Sequence, residues 1–138
     1  MKRFGLFLFC AAALLAQGSA IRNVYVLPMT GGLDQFLAAR ITSEHAMQVV
    51  ADPKAADAVL TDHLGASFEQ QLDQLMGQTK DKDSGPHPAF RASSVNGTVF
   101  LVDAKSRRVL WSDYEKPSRA TPARQAERIV KKLQAFGK

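Results

Sequence analysis

Cysteine is almost missing from this chain: of 138 residues only Cys10 is one, and it lies inside an apolar amino-terminal stretch. Beyond residue 20 there is no thiol, so no disulfide can staple the fold and no thiolate can serve as nucleophile or zinc ligand. Aromatic residues are sparse as well, 8% of the chain with a single tryptophan, Trp111. After residue 20 no apolar run approaches the roughly 20 residues that a membrane-spanning helix needs. The three histidines, His45, His63 and His87, have no metal-type spacing such as H-x-x-x-H. There is no G-x-G-x-x-G or G-K-[ST] phosphate loop and no G-x-S-x-G nucleophile elbow. The sequence therefore carries no metal signature, no cofactor signature and no local catalytic motif.

What is present begins at the amino terminus. Lys2 and Arg3 precede an apolar run over residues 4–16, and Gly18-Ser19-Ala20 follows with the small side chains that a signal peptidase accepts. This pattern predicts a cleaved secretory signal over residues 1–20 and an exported protein, placed in a bacterial periplasm. Lipidation is not expected, because Cys10 follows the bulky Phe9 in the middle of the apolar run rather than a small residue at its end. The remaining residues 21–138 are of a size that forms one domain with its own core.

The charge is modestly positive, with 18 basic and 13 acidic residues giving +5, and losing Lys2 and Arg3 with the signal lowers it to +3. A nucleic-acid binder concentrates its basic residues in a stripe interleaved with aromatics; here they are dispersed, and no nucleic-acid partner is expected. The exception is Arg119, Arg124, Arg128, Lys131 and Lys132. The leading reading of this group is a solvated helix face; the other is a surface for an anionic lipid or polymer, or for an envelope protein. Arg124, Arg128 and Lys131 are the candidate partner-binding residues.

Periodicity outlines the fold. Residues 23–28 (NVYVLP) read as a strand ended by Pro28 and the Gly31-Gly32 pair. Leu33, Phe36, Leu37 and Ile41 recur at helical spacing to about Ser43. Residues 47–50 form a short strand, Asp52-Pro53 opens a turn, and residues 58–64 (AVLTDHL) form a third strand. Ser67 and Gln70 have the spacing of a capping box, before a helix with Phe68, Leu72, Leu75 and Met76 on its apolar stripe. Residues 78–94 hold two prolines and many charges without apolar periodicity and are expected to be a mobile loop.

VNGTVFLVD and RRVLWSDY then read as a hairpin closed by the polar turn DAKSR. Val99 through Val102 is apolar on both faces, as in a strand covered on both sides. A last helix has Thr121 as N-cap, Pro122 at its first position, a buried stripe of Ala126, Ile129, Val130, Leu133 and Phe136, and Gly137 at its end. The predicted order is β-α-β-β-α-loop-β-β-α. The fold class is α/β, a single-layer mixed β-sheet of about five strands with helices packed on it.

The succession VYVLPM, QVVADPKAADAVLTD, GTVFLVDAKSRRVLWS and a basic carboxy-terminal helix resembles the α/β domains of the TolB amino-terminal and CsgG-like envelope proteins. The likeness covers residues 22–136 and is one of fold and turns, with no catalytic motif to carry over. It implies a module for assembly or docking. The chain departs from CsgG-like proteins in lacking a lipid anchor and membrane-inserting hairpins.

The remaining candidates have competing accounts. Thr30-Gly31-Gly32 lies between a strand and a helix, where free N–H groups can hold an anion, but a tight turn into the helix is the better account of the glycines. Asp62 and His63 are adjacent; on a continuous strand they would point to opposite faces. A triad assembled from distant residues leaves no local signature, so a small hydrolase or transferase using His63 is the alternative function. Trp111 shares a face with Val109 on a regular strand and reads as core. Asp103 reads as the turn-forming residue of the hairpin. The leading expectation is a non-enzymatic docking or scaffolding protein of the envelope.

Overall fold

The structure, a computed structural model, describes residues 20–77, 97–116 and 121–138. The expected signal over residues 1–20, apart from Ala20, and the expected mobile loop over 78–94 lie outside the described residues. The elements are β1 Asn23–Val26, α1 Leu33–Ser43, β2 Gln48–Val49, β3 Ala58–Thr61, α2 Ala66–Leu75, β4 Thr98–Asp103, β5 Val109–Tyr114 and α3 Pro122–Phe136. Single 3-10 turns at Thr30–Gly32 and Pro53–Ala55 precede α1 and β3. The five strands form one mixed sheet in the order β2-β1-β3-β4-β5. β1 runs parallel to both β2 and β3, whereas β4 is antiparallel to β3 and β5 to β4. This is the expected α/β class.

Alternation along the strands divides the core in two, because successive side chains leave a strand on opposite faces. Val24, Ala58, Leu60, Val99 and Leu101 meet Leu37 and Ile41 of α1 and Ile129, Val130 and Leu133 of α3. Val59 and Val102 leave the other face and pack with Leu27, Phe68, Leu72 and Ala104, under α2. Every residue of β3 is buried, as the apolar start of its segment predicts for a strand covered on both sides.

Carboxylates tie the strands together. Asp57 accepts backbone N–H bonds from Arg22 (3.0 Å) and Asn23 (2.9 Å), pinning the start of β1 to the start of β3. Those donors, Asn23 first, hold the Asp57 carboxyl below its ordinary value. Asp103 accepts from Lys105 (2.9 Å) and Ser106 (2.7 Å) in the hairpin turn, its expected role. Its carboxyl is lowered chiefly by the Ser106 N–H.

Several expectations are corrected. Ser67 does not cap α2: the N-cap is Gly65, at φ 95° and ψ −161°, a backbone region open to glycine and hardly to other residues, and Ser67 lies inside the first turn. Thr121 occupies the N-cap of α3 without a side-chain bond. Phe36, Leu75 and Phe136, placed on the apolar stripes of α1, α2 and α3, are 44%, 37% and 44% exposed. A β-bulge between Leu101 and Val102 inserts Leu110 into β5, so Val109 pairs with Val102 and Trp111 with Leu101. The bulge breaks the expected alternation: Leu110 and Trp111 both lie partly buried against the α1/α3 cluster, and Val109 is exposed.

Candidate functional site

Two places merit description, the carboxyl edge of the parallel strands and the β5–α3 border. β1 and β3 end at the same edge because they are parallel, and the chain crosses from one side of β1 to the other between β2 and β3. Open α/β sheets bind ligands at the carboxyl ends of strands beside such a reversal. After β1 the chain turns through Gly31 and Gly32, both left-handed at φ 72° and 73°, and enters α1. The N–H of Thr30 donates to Asp62 Oδ2 at 2.9 Å, and that of Met29 to Asp34 Oδ1 at 3.1 Å. Two of the N–H groups that could have held an external anion are thus given to the protein's own carboxylates, and the tight-turn account of the glycines stands.

Asp62 and His63 are brought together, against the expectation. β3 ends at Thr61, so the pair lies past the strand and its strict alternation. Asp62 Oδ1 and His63 Nδ1 are 2.7 Å apart, with the two side chains only 9% and 12% exposed. Asp62 therefore joins two regions, one oxygen fixing the α1 loop and the other fixing the imidazole. The ring of His63 stands edge-on to Phe68, centroids 6.5 Å apart, on the α2 side of the sheet. Thr61 Oγ1 is a hydroxyl within reach of His63 Nδ1, at 3.4 Å, but Thr61 is fully buried.

A cavity of about 260 Å³ opens beside Asp62, lined by Thr30, Gly31, Leu33, Thr98, Pro122 and Gln125 among others. It lies between the amino-terminal ends of α1 and α3. His63 is not among its lining residues, so the imidazole and the cavity are on different sides of the Asp62 carboxylate. Of the other histidines, His45 is exposed after α1 with Nδ1 3.1 Å from the Ser43 carbonyl. His87 lies outside the described residues. Among the described residues no three metal-binding side chains cluster, and no helix is long and apolar enough to cross a membrane.

At the β5–α3 border Arg124, Arg128 and Lys131 are all exposed on α3, at the spacing of one helix face. The structure interleaves this face with acids. Arg128 lies 3.8 Å from Glu115, and Lys131 lies 3.2 Å from Glu127, which also lies 3.5 Å from Arg40. Lys132 bridges Asp113, at 3.0 Å, and Glu115. Glu115 is lowered foremost by the Lys132 bond, and Lys132 is raised in turn, foremost by Glu115. Glu127 is lowered foremost by Lys131. Arg124 has no ion pair within 4 Å among the described residues. The Glu127–Lys131 and Arg40–Glu44 pairs have the i,i+4 spacing visible in sequence; the β5 acids have no such signal.

The chain matches no protein-family model, no curated protein and no solved structure.

Proposed function

We propose that this chain is an exported envelope protein that docks a protein partner and performs no catalysis. Its leader has the charge, apolar run and small residues of a cleaved signal. The observation that carries docking is β5. It is six residues long, it forms one border of the sheet, and among the described residues no strand pairs with its outer side. An open edge of this length offers a row of backbone donors and acceptors to an added strand. Arg128 lies beside Glu115 at the end of β5 and shares an exposed helix face with Arg124 and Lys131, a face that would favour an acidic segment in the partner.

A photo-crosslinking residue placed at Ser112 should trap a protein in the intact envelope, and the same residue at Lys54, in the turn before β3, should not. Equal trapping at both positions, or none at Ser112, overturns docking at this edge. The mature chain should begin at Ile21 by amino-terminal analysis; a diacylated species beginning at Cys10 would overturn the export reading.

The Asp62–His63 contact favours a second reading, a small hydrolase or transferase in which Asp62 orients the His63 imidazole. His63→Gln separates the two. A folded His63→Gln protein that keeps its cellular phenotype supports docking, whereas loss of phenotype beside harmless β5-edge changes supports the enzyme.

A further inference from the structure

The β5 edge has a pattern that completes itself. Glu115 donates its N–H to Gly97 on the β4 side, and alternation then points the backbone groups of Asp113 and Trp111 toward β4 and those of Ser112 and Tyr114 outward. The register on β4 also sets the faces. Val109, Ser112 and Tyr114 stand opposite Val102, Phe100 and Thr98, on the α2 face, while Trp111 and Asp113 stand opposite Leu101 and Val99, on the α1/α3 face. On a regular strand residues 109 and 114 would point to opposite faces. The extra residue Leu110 puts them on the same one, and both are large and exposed, Val109 at 47% and Tyr114 at 56%.

Resting on the docking reading above, we propose that the partner on this edge is a second copy of this chain, with β5 paired antiparallel to β5 about a two-fold axis at Ser112. A two-fold axis normal to a sheet requires that residues facing each other across it come from the same face of the strand. With the bulge counted, that register sets Val109 of each copy opposite Tyr114 of the other. Arg108 then stands opposite Glu115 on the other face. The two exposed apolar residues therefore cover each other twice, as a β-branched–aromatic cross-strand pair, and the flanking charges are opposite in sign. The two sheets join into one of ten strands, with no open β5 edge remaining.

The exported protein purified from the envelope is the material for the test. Sedimentation equilibrium should give twice the monomer mass, and Tyr114→Asp should give a folded protein of monomer mass, its fold checked by circular dichroism. Ser112→Cys supplies the sole cysteine outside the leader and should oxidise to a covalent dimer, because two cysteines at the axis lie within the Cα separation a disulfide spans. Ser106→Cys, in the hairpin turn off the axis, should form no covalent dimer under the same oxidation. A wild-type monomer at every concentration, or equal crosslinking of the two cysteine variants, overturns the self-pairing. If that result accompanies trapping of a different protein at Ser112 in the envelope, docking stands and only the identity of the partner fails. If nothing is trapped either, both fail.

Discussion

β3 and β5 are strands of the same sheet with similar apolar content at their starts, yet all of β3 is buried and no residue of β5 is fully buried. The difference is one of neighbours. β3 has β1 on one side, β4 on the other, and helices over both faces. β5 has β4 on one side and α3 touching one face, and its outer side is open among the described residues. The first arrangement spends its side chains on cohesion. The second leaves backbone groups, Val109 and Tyr114 available for something else. Stability and interaction are therefore separated along the sheet, and this separation can be tested by substitution.

The largest effect belongs to β3. Leu60→Ala removes a fully buried side chain between the sheet and α1/α3 and should cost about 2–5 kcal/mol, read from the midpoint of urea unfolding. Trp111→Ala should cost less, about 1–3 kcal/mol, because the ring is only partly buried against the same cluster. If the two losses are equal, β5 belongs to the core and the comparison fails.

Acid should act on both strands but salt on only one. The carboxyl groups of Asp57 and Glu115 are held below their ordinary values of 3.8 and 4.5 in the folded protein. Their contribution is therefore complete above those values and is lost as pH falls through the lower, folded ones. Asp57→Asn and Glu115→Gln should each flatten the acid limb of the stability curve. Added salt should erode the Glu115 contribution, which comes from Lys132 at a half-exposed site. It should leave that of Asp57, which comes chiefly from backbone N–H groups. Lys132 has the opposite sign: its amine is raised above 10.5, so its contribution is present below that value and lost as pH rises through the folded one.

The smallest change in stability should follow charge reversal at Arg124, Arg128 and Lys131 together. Exposed pairs contribute little, and Arg128 and Lys131 are more than half exposed. Binding of an acidic partner should weaken markedly in a pull-down from envelope extract. Unfolding by this variant would mean that the α3 pairs hold the fold and are not available to a partner.

The elements were legible where a single face decides a residue's fate. Most of the α1 and α3 stripes follow from a helical period against one buried surface, the apolar run of β3 from burial on both faces, and the Asp103 turn from local side-chain bonding. Phe36, Leu75 and Phe136 broke the rule for a plain reason: a helical stripe shows which side would be buried, not how much of that side its neighbours cover. Ser67 was a capable cap two residues too late, because Gly65 alone could take the backbone angles at the start of α2.

By itself the sequence determined the class of fold, the order of its elements and the lack of any thiol beyond residue 20, because these depend on composition and on periods read along the chain. Only the tertiary structure decided which groups meet across segments. The bulge that turns Val109 to the face of Tyr114 arises from a mismatch between two strands and is invisible in either one alone. The Asp62–His63 contact depends on where β3 stops, and the acids among the basic residues of α3 come in part from β5, a strand distant in sequence. Periodicity records what one segment must bury; which groups meet across segments is set by how the segments pack.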